Sequence, residues 1–377
     1  MRNPFKYGGI VTGDDFANRT GEIREITRDL SDSEKLFMIS PRRLGKTSLI
    51  VNILERLEES GTHTIYIDLY KATSLNRLLE LYSRKIALTL ENRLEKAISL
   101  VREIIPGLRP KITIDGKGEA TLGIEYINTR RDVIRMLNQV YDLPQKLAEK
   151  KNKNFVIAFD EFQEILNFNG ESIEKGMRSA FQHHDRVGYL FAGSKKHLIG
   201  DMVYNSNRPF YKIGRVINLE KIPEEEFRVF LGDKFRVTGF EIESGLVDNI
   251  LEVTENYPYN AQFLCHELWD MKFEEKKIAL SEIEIAMDSI LNEETPFFAR
   301  IWEGLPLHQR NVLQAIAVCG GEKVFSKEYI SENGIGPVST LQTSVKLLIK
   351  KEILDRKEDV LFINDVFFKE WIRKKTL

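Results

Sequence analysis

Two short stretches of the chain hold the residue types that phosphate chemistry requires. The first is Ser40-Pro41-Arg42-Arg43-Leu44-Gly45-Lys46-Thr47, set directly after the apolar run Leu36 to Ile39. It reads as a strand, a phosphate-cradling loop and the start of a helix that continues through Leu49, Ile50 and Val51. Such a site needs backbone N–H groups and a helix N-terminus aimed at phosphate, a lysine for the β/γ oxygens and a hydroxyl for Mg²⁺. Gly45, Lys46 and Thr47 supply the essential end of that pattern, and Ser40 stands where its first glycine would be. Pro41, Arg42, Arg43, Leu44, Gly45, Lys46, Thr47 and Ser48 are therefore the expected contacts to a nucleoside triphosphate.

The second stretch is Phe155-Val156-Ile157-Ala158-Phe159-Asp160-Glu161, an apolar strand that ends in two carboxylates. A parallel strand delivers its last residues to the crevice at the carboxyl edge of the sheet. Asp160 is expected to join Thr47 in holding Mg²⁺, and Glu161 to orient and deprotonate an attacking water. A following apolar run, Tyr189 to Ala192, leads into Gly193-Ser194, which places the Ser194 hydroxyl where it can hydrogen-bond the γ-phosphate or that water. Arg208 and Arg215 bracket Pro209 to Gly214, and either is a candidate to stabilise developing phosphoryl charge, within the chain or on a neighbouring subunit.

The elements that must position these groups follow from the pattern of apolar residues. Five near-continuous runs, Leu36 to Ser40, Thr64 to Leu69, Phe155 to Phe159, Tyr189 to Ala192 and Val216 to Leu219, suit strands buried on both faces of a helix-covered parallel sheet. Between the second and third, Lys111 to Ile114 and Thr121 to Tyr126 flank Asp115-Gly116, a hairpin signal. After Leu219 the strand signals give way to helices, including Leu246 to Thr254, Asn260 to Phe273 and Ser281 to Asn292. From Ile301 onward three helices precede two short strands joined by Arg356-Lys357-Glu358-Asp359, the order of a winged helix-turn-helix. The expected organisation is an α/β nucleotide core over 1–220, a helical lid over 221–299 and a winged helix over 300–377.

At 377 residues the chain exceeds one compact core, and its formal net charge of −2 argues against a globally basic nucleic-acid binder. No apolar run approaches the ~20 residues of a membrane span. Met1-Arg2-Asn3-Pro4 lacks the apolar core of a secretion signal, so a cytoplasmic location and no membrane partner are expected. Cys265 and Cys319 read as ordinary buried thiols, and the six histidines show no metal-ligand spacing.

Several segments then occur in order: Phe16 to Glu22, the Pro-Arg-Arg-x-Gly-Lys-Thr loop, Phe159-Asp160-Glu161-Phe162-Gln163, Arg208-Pro209-Phe210-Tyr211, Asn256-Tyr257-Pro258-Tyr259 and the tail Asn364 to Trp371. Together they resemble the archaeal-type ATPases of the AAA+ and STAND group, relatives of the origin-recognition ATPases. The resemblance spans nearly the whole chain. It implies a P-loop NTPase sheet with a lid and a C-terminal winged helix, ATP with Mg²⁺ as ligands, and slow hydrolysis driving a conformational switch. It also implies that Phe16 and Arg19 pack over the adenine and that Pro258 touches the nucleotide from the lid, with Asn256 where the lid motif has glycine. No second-sensor arginine matches, which favours a switch over a processive motor. In the tail, Leu341, Val345 and Leu348 form a buried stripe. Thr340, Gln342, Thr343, Lys346 and Lys350 are left to meet duplex DNA. From Arg300 onward 13 Lys/Arg stand against 10 Asp/Glu, only mildly basic, so an ATP-regulated DNA-binding role is the alternative reading; a protein partner or self-association stays open.

Overall fold

The computed structural model describes residues 2–17, 19–90, 93–104, 109–114, 120–125, 127, 129–168 and 170–376. The chain divides into two compact units, one formed by residues 10–221 and the other by 2–9 together with 222–376. No helix of the described residues is long and apolar enough to cross a membrane.

The unit of residues 10–221 is built on a five-stranded sheet. Its elements are α1 (Thr20–Ser31), β1 (Lys35–Ile39), α2 (Lys46–Glu59), β2 (His63–Asp68), α3 (Leu75–Leu90), α4 (Leu94–Ile104), β3 (Pro110–Ile114), β4 (Ala120–Ile124), α5 (Arg130–Tyr141), α6 (Leu143–Lys151), β5 (Phe155–Asp160), α7 (Gly170–Phe181), β6 (Val187–Gly193), α8 (Lys196–Tyr204) and β7 (Arg215–Asn218). Strand order is β2-β5-β6-β1-β7, and every pairing is parallel. All five strands expected from the apolar runs are present. The register sets Asp68 of β2 beside Asp160 of β5, and Ile39 of β1 beside Gly193 of β6, so the chemistry-bearing termini emerge at one edge. The β3–β4 hairpin pairs antiparallel from Pro110↔Ile124 to Ile114↔Ala120. Its expected turn, Asp115-Gly116, lies outside the described residues, as do Met1, Asn18 and Tyr126.

Aromatic side chains fill one face of this sheet. Phe191 lies 4.7 Å from Phe37, 4.6 Å from Phe162, 5.4 Å from Phe210 and 5.6 Å from Phe159, measured between ring centroids. These rings are fully buried and sit beneath the turn that follows β5, so the floor of the crevice is rigid.

The other unit contains α9 (Glu224–Val237), β8 (Glu241–Ile242), α10 (Leu246–Val253), α11 (Pro258–Met271), β9 (Lys277–Ile278), α12 (Glu282–Glu303), α13 (Leu307–Cys319), α14 (Lys327–Asn333), α15 (Val338–Lys350), β10 (Leu354–Lys357), β11 (Val360–Ile363) and α16 (Val366–Thr376). The three helices and antiparallel hairpin of the tail form the winged helix, with Leu341, Val345 and Leu348 of α15 buried as the stripe required. The short parallel pair β8–β9 left no strand signal in the sequence. The helix α12 runs unbroken from the helical region into the winged helix, across residues 299 and 300. The last helix packs back on it: Trp371 Nε1 donates to Thr295 Oγ1 at 3.0 Å, and the Phe298 and Phe368 rings lie 5.4 Å apart. Residues 2–9 also belong to this unit. Asn3 Nδ2 donates to the His266 carbonyl at 3.0 Å, Phe5 lies 4.5 Å from Phe235, and Tyr7 stacks on Phe263 at 4.2 Å.

Phe191→Ala removes a ring that six aromatic neighbours share. It is expected to lower the stability of the α/β unit by about 3–5 kcal/mol, read from the shift of its urea-unfolding midpoint. A loss below about 1 kcal/mol would show that the cluster can collapse around the void.

Candidate nucleotide site

The loop between β1 and α2 is shaped by its own residues. Ser40 leaves the strand with its N–H donating to the Gly193 carbonyl at 3.1 Å, and its hydroxyl donates to the Pro41 carbonyl at 2.9 Å. Arg43 and Gly45 both adopt left-handed backbone, at φ 68° and 80°, so the chain curls before α2 begins at Lys46. Curled backbone of this kind turns successive N–H groups inward and, with the helix N-terminus behind it, forms an anion-binding concavity.

The two stretches singled out in the sequence meet at this loop. The Lys46 ammonium, nearly buried, forms ion pairs with Asp160 and, at 2.6 Å, with Glu161 Oε1. Thr47 Oγ1 donates to Asp160 Oδ2 at 2.7 Å. Ser194 Oγ donates to Glu161 Oε2 at 3.0 Å. Lys46, Thr47, Asp160, Glu161 and Ser194 therefore form one hydrogen-bonded cluster at the carboxyl edge of the sheet. Glu161 itself sits at φ 52°, an uncommon conformation for its residue type that bends the chain sharply out of β5.

Two members of the cluster were not found from the sequence. Tyr66 of β2 donates its hydroxyl to Asp160 Oδ2 at 3.0 Å; burial, followed by the Asp160 charge, drives its pKa well upward, so it remains a donor. Gln163 donates Nε2 to Glu161 Oε2 at 2.5 Å. A tyrosine near the end of the strand beside the acidic one, and a glutamine two residues after Glu161, were the available signals.

The segment before α1 is pinned to the first turns of α2. Val11 N–H donates to Ser48 Oγ at 3.1 Å, Asn52 Nδ2 donates to the Val11 carbonyl at 2.9 Å, and Gly13 N–H donates to Asn52 Oδ1 at 3.2 Å. Phe16 follows, buried in the same unit. Arg19, expected beside the base, is buried in the protein. Its guanidinium donates to the Leu44 carbonyl at 3.1 Å and pairs with Glu22 at 2.9 Å, which makes it a brace of the loop.

The two arginines proposed to act on phosphoryl charge are not among the cluster's side chains. Arg215 pairs in register with Leu36 near the amino end of β1, whereas the loop leaves the carboxyl end. At about 3.3 Å per residue the strand separates them by roughly 10 Å. The Arg215 guanidinium is occupied by Asp29 at 2.6 Å and Glu25 at 2.5 Å. In this structure Arg215 does not reach the loop of its own chain. Arg208 is tied to the fully buried Glu174 of α7 and lies 3.6 Å from Asp201 of α8. Pro258 opens α11 in the other unit.

The donor set suits a hard divalent ion. Thr47 Oγ1 and Asp160 Oδ2 are oxygen ligands within 2.7 Å of each other. Among the described residues no group of three or more His, Cys, Asp or Glu side chains could hold a metal alone. Mg²⁺ commonly binds through one or two protein oxygens and completes its shell with phosphate and water, so Thr47 and Asp160 fit that role.

Comparison with known proteins agrees with this geometry. Residues 16–260 match the family described as an ATPase domain predominantly from Archaea, and residues 296–374 match a probable winged helix domain. Among solved structures the chain is similar to the Walker-type ATPase PABY2304 of Pyrococcus abyssi, with 16% identity, coverage of 98% of this chain and 99% of that one, and a TM-score of 0.66. It is also similar to the Aeropyrum pernix ORC2 protein in its ADPNP–ADP complexes, with 15% identity, coverage of 100% and 98%, and a TM-score of 0.60. The Aeropyrum pernix ORC1 protein in complex with DNA follows at 12% identity, 97% and 94% coverage and a TM-score of 0.51. At these identities the likeness is one of fold: a mostly parallel, helix-covered sheet of the P-loop NTPase kind with a C-terminal winged helix. No curated protein matches the sequence.

The buried Glu174 gives a measurable pH effect. Burial pushes its pKa up to about 7, against the opposing pull of Arg208 and with help from Asp201 and Glu171. The folded chain thus holds this proton to a higher pH than the unfolded chain, whose carboxyl titrates in the ordinary range near 4.5. Its contribution to stability should fall as pH rises from about 4.5 to 7, by on the order of 3 kcal/mol. Unfolding midpoints taken from pH 4.5 to 8 should show this decline in the wild type and a flatter profile in Glu174→Gln. Parallel profiles would refute the assignment.

Proposed function

The chain belongs to the family of ATPase domains found predominantly in Archaea, and on that premise we propose that it binds ATP with Mg²⁺, hydrolyses it slowly, and acts as a nucleotide-dependent conformational switch. The observation that carries this reading is the single cluster of Lys46, Thr47, Asp160, Glu161 and Ser194 at the mouth of the β1–α2 loop.

Each side chain then has a task set by its contacts. The Lys46 ammonium, paired here with two carboxylates, is the cation that β/γ phosphate oxygens would recruit, aided by the backbone N–H groups from Arg42 to Ser48. Thr47 and Asp160 would hold Mg²⁺, with Tyr66 keeping the Asp160 carboxylate in place. The ion, when bound, supplies charge neutralisation at the phosphates. Glu161 Oε1 faces Lys46; when phosphate takes that ammonium, Oε1 becomes the free acceptor for a water proton. Ser194, at the end of β6, holds the other oxygen of the same carboxylate. Phe16, just beyond the segment pinned to α2, is the residue proposed for the base. Arg208 or Arg215 is proposed to serve a neighbouring copy, since Arg215 sits near the amino end of β1 and the Arg208 guanidinium is taken up by Glu174.

Two substitutions separate binding from turnover. Lys46→Ala removes the charge-assisted contacts to phosphate and should weaken a fluorescent ATP analogue by about 10- to 100-fold. Glu161→Gln keeps shape but removes the base, so ATP should bind and persist, with turnover reduced by about 10²- to 10⁴-fold. Undiminished analogue affinity in the first variant would refute the nucleotide site, and wild-type turnover in the second would refute the role of Glu161.

A second reading, ATP-regulated binding of duplex DNA, is favoured by one observation. The exposed face of α15 carries Gln342, Thr343, Lys346 and Lys350, the polar and basic types that meet phosphates and base edges. Replacing Lys346 and Lys350 with Glu should weaken duplex binding and flatten its salt dependence by about one unit of slope per lost phosphate contact. A wild-type chain with no salt-sensitive duplex affinity at low ionic strength would eliminate this reading.

A further inference from the structure

The carboxylate of Glu161 is held from three sides. Oε1 accepts from Lys46 Nζ at 2.6 Å, and Oε2 accepts from both Ser194 Oγ at 3.0 Å and Gln163 Nε2 at 2.5 Å. Lys46 is the partner that phosphate would draw away, so only the two donors on Oε2 remain to fix the carboxylate during a reaction. Of these, Gln163 makes the shorter bond and is itself buried at 2% exposure.

The turn after β5 accounts for this placement. Glu161 adopts φ 52°, its carbonyl accepts from Glu164 N–H at 2.9 Å, and a 3-10 helix begins at Phe162. Phe162 goes into the aromatic floor, and the Gln163 side chain returns over the carboxylate. The amide orientation is fixed, because turning it over would set Oε1 against a carboxylate oxygen. The space is close as well: a Cβ at Gly193 would stand 2.2 Å from Gln163 Oε1, so any larger residue at the end of β6 would displace the amide.

The other half of the amide counts against a merely structural role. Gln163 Oε1 is buried and has no hydrogen-bond partner. A half-satisfied buried amide is less favourable for folding than an apolar side chain of the same length, and such groups call for a functional explanation.

We propose that Gln163 is a positioning residue for the base: with Ser194 it pins Glu161 Oε2, so that Oε1, once phosphate has taken Lys46, points at the attacking water. This rests on the ATPase reading above. Gln163→Leu removes the donor and leaves an apolar side chain of comparable volume, one bond shorter. Its kcat at saturating ATP should fall at least tenfold, while affinity for a fluorescent ATP analogue stays within about twofold and the thermal midpoint is not lowered. In a Glu161→Gln background the same change should cost no further turnover, since the group it positions is already gone. Gln163→Met serves as an independent second variant. Wild-type kcat in either, or an equal fractional loss in the Glu161→Gln background, would overturn the proposal. Loss of the fold in both variants would also overturn it, marking Gln163 as structural. A wild-type chain that binds the analogue but never turns over ATP refutes the hydrolysis reading and this assignment with it; turnover in the wild type matched by the variants refutes the assignment alone.

Discussion

The Lys46 ammonium ties the helix that follows the β1 loop to the acidic end of β5, and the site is arranged around that tie. Two carboxylates stand side by side at the edge of the sheet, both largely withdrawn from water. Left alone they would repel each other and lose hydration; the lysine between them removes both costs. The same charge is what a polyphosphate needs. On the proposed reading, structural integrity without nucleotide and recognition of nucleotide would compete for one cation, and the hydrogen bonds from Thr47, Tyr66, Gln163 and Ser194 would restrain the carboxylates once it changed partner.

Much of this frame is legible in the amino-acid order because its physics is local. Strands buried on both faces need near-continuous apolar runs, and the loop needs glycine, lysine and a hydroxyl in fixed order. Asp160 and Glu161 are recognisable because they end such a run. The winged helix is readable for the same reason, through its helical stripe and charged hairpin turn. The supporting residues are hidden because their roles depend on register and turn geometry. Tyr66 counts only because β2 pairs with β5, and Gln163 only because Glu161 turns left-handed. Arg19 shows the same dependence: its guanidinium donates to the Leu44 carbonyl, a contact that only the folded loop creates. Arg215 shows that nearness in sequence to a core strand does not say which end of the sheet a residue occupies.

The helical region and the winged helix are joined more firmly than their separate sequence signatures suggest. A continuous helix, α12, runs through both, and α16 returns to pack on it through Phe368 and Trp371. Phe263 of α11 contacts Phe367 of α16 as well as Tyr7 near the amino terminus. Closely packed aromatic contacts transmit displacement with little compliance. A shift of α11 would therefore be felt at α16 through a direct chain of rings.

The unit that contains the winged helix is assembled from both ends of the chain, which has a consequence for synthesis. Residues 10–221 form a contiguous unit, complete in sequence before α9 has been made, and domains generally fold as they emerge. Residues 2–9 are made earlier still, yet the partners of Phe5 and Tyr7 lie in α9 and α11. Phe5 can meet Phe235 once α9 has been made, but Tyr7 lacks its stacking partner Phe263 until α11 leaves the ribosome. Stacking of Tyr7 on Phe263 therefore records that translation has passed α11, and a product truncated before it would leave that ring uncovered for chaperones and proteases.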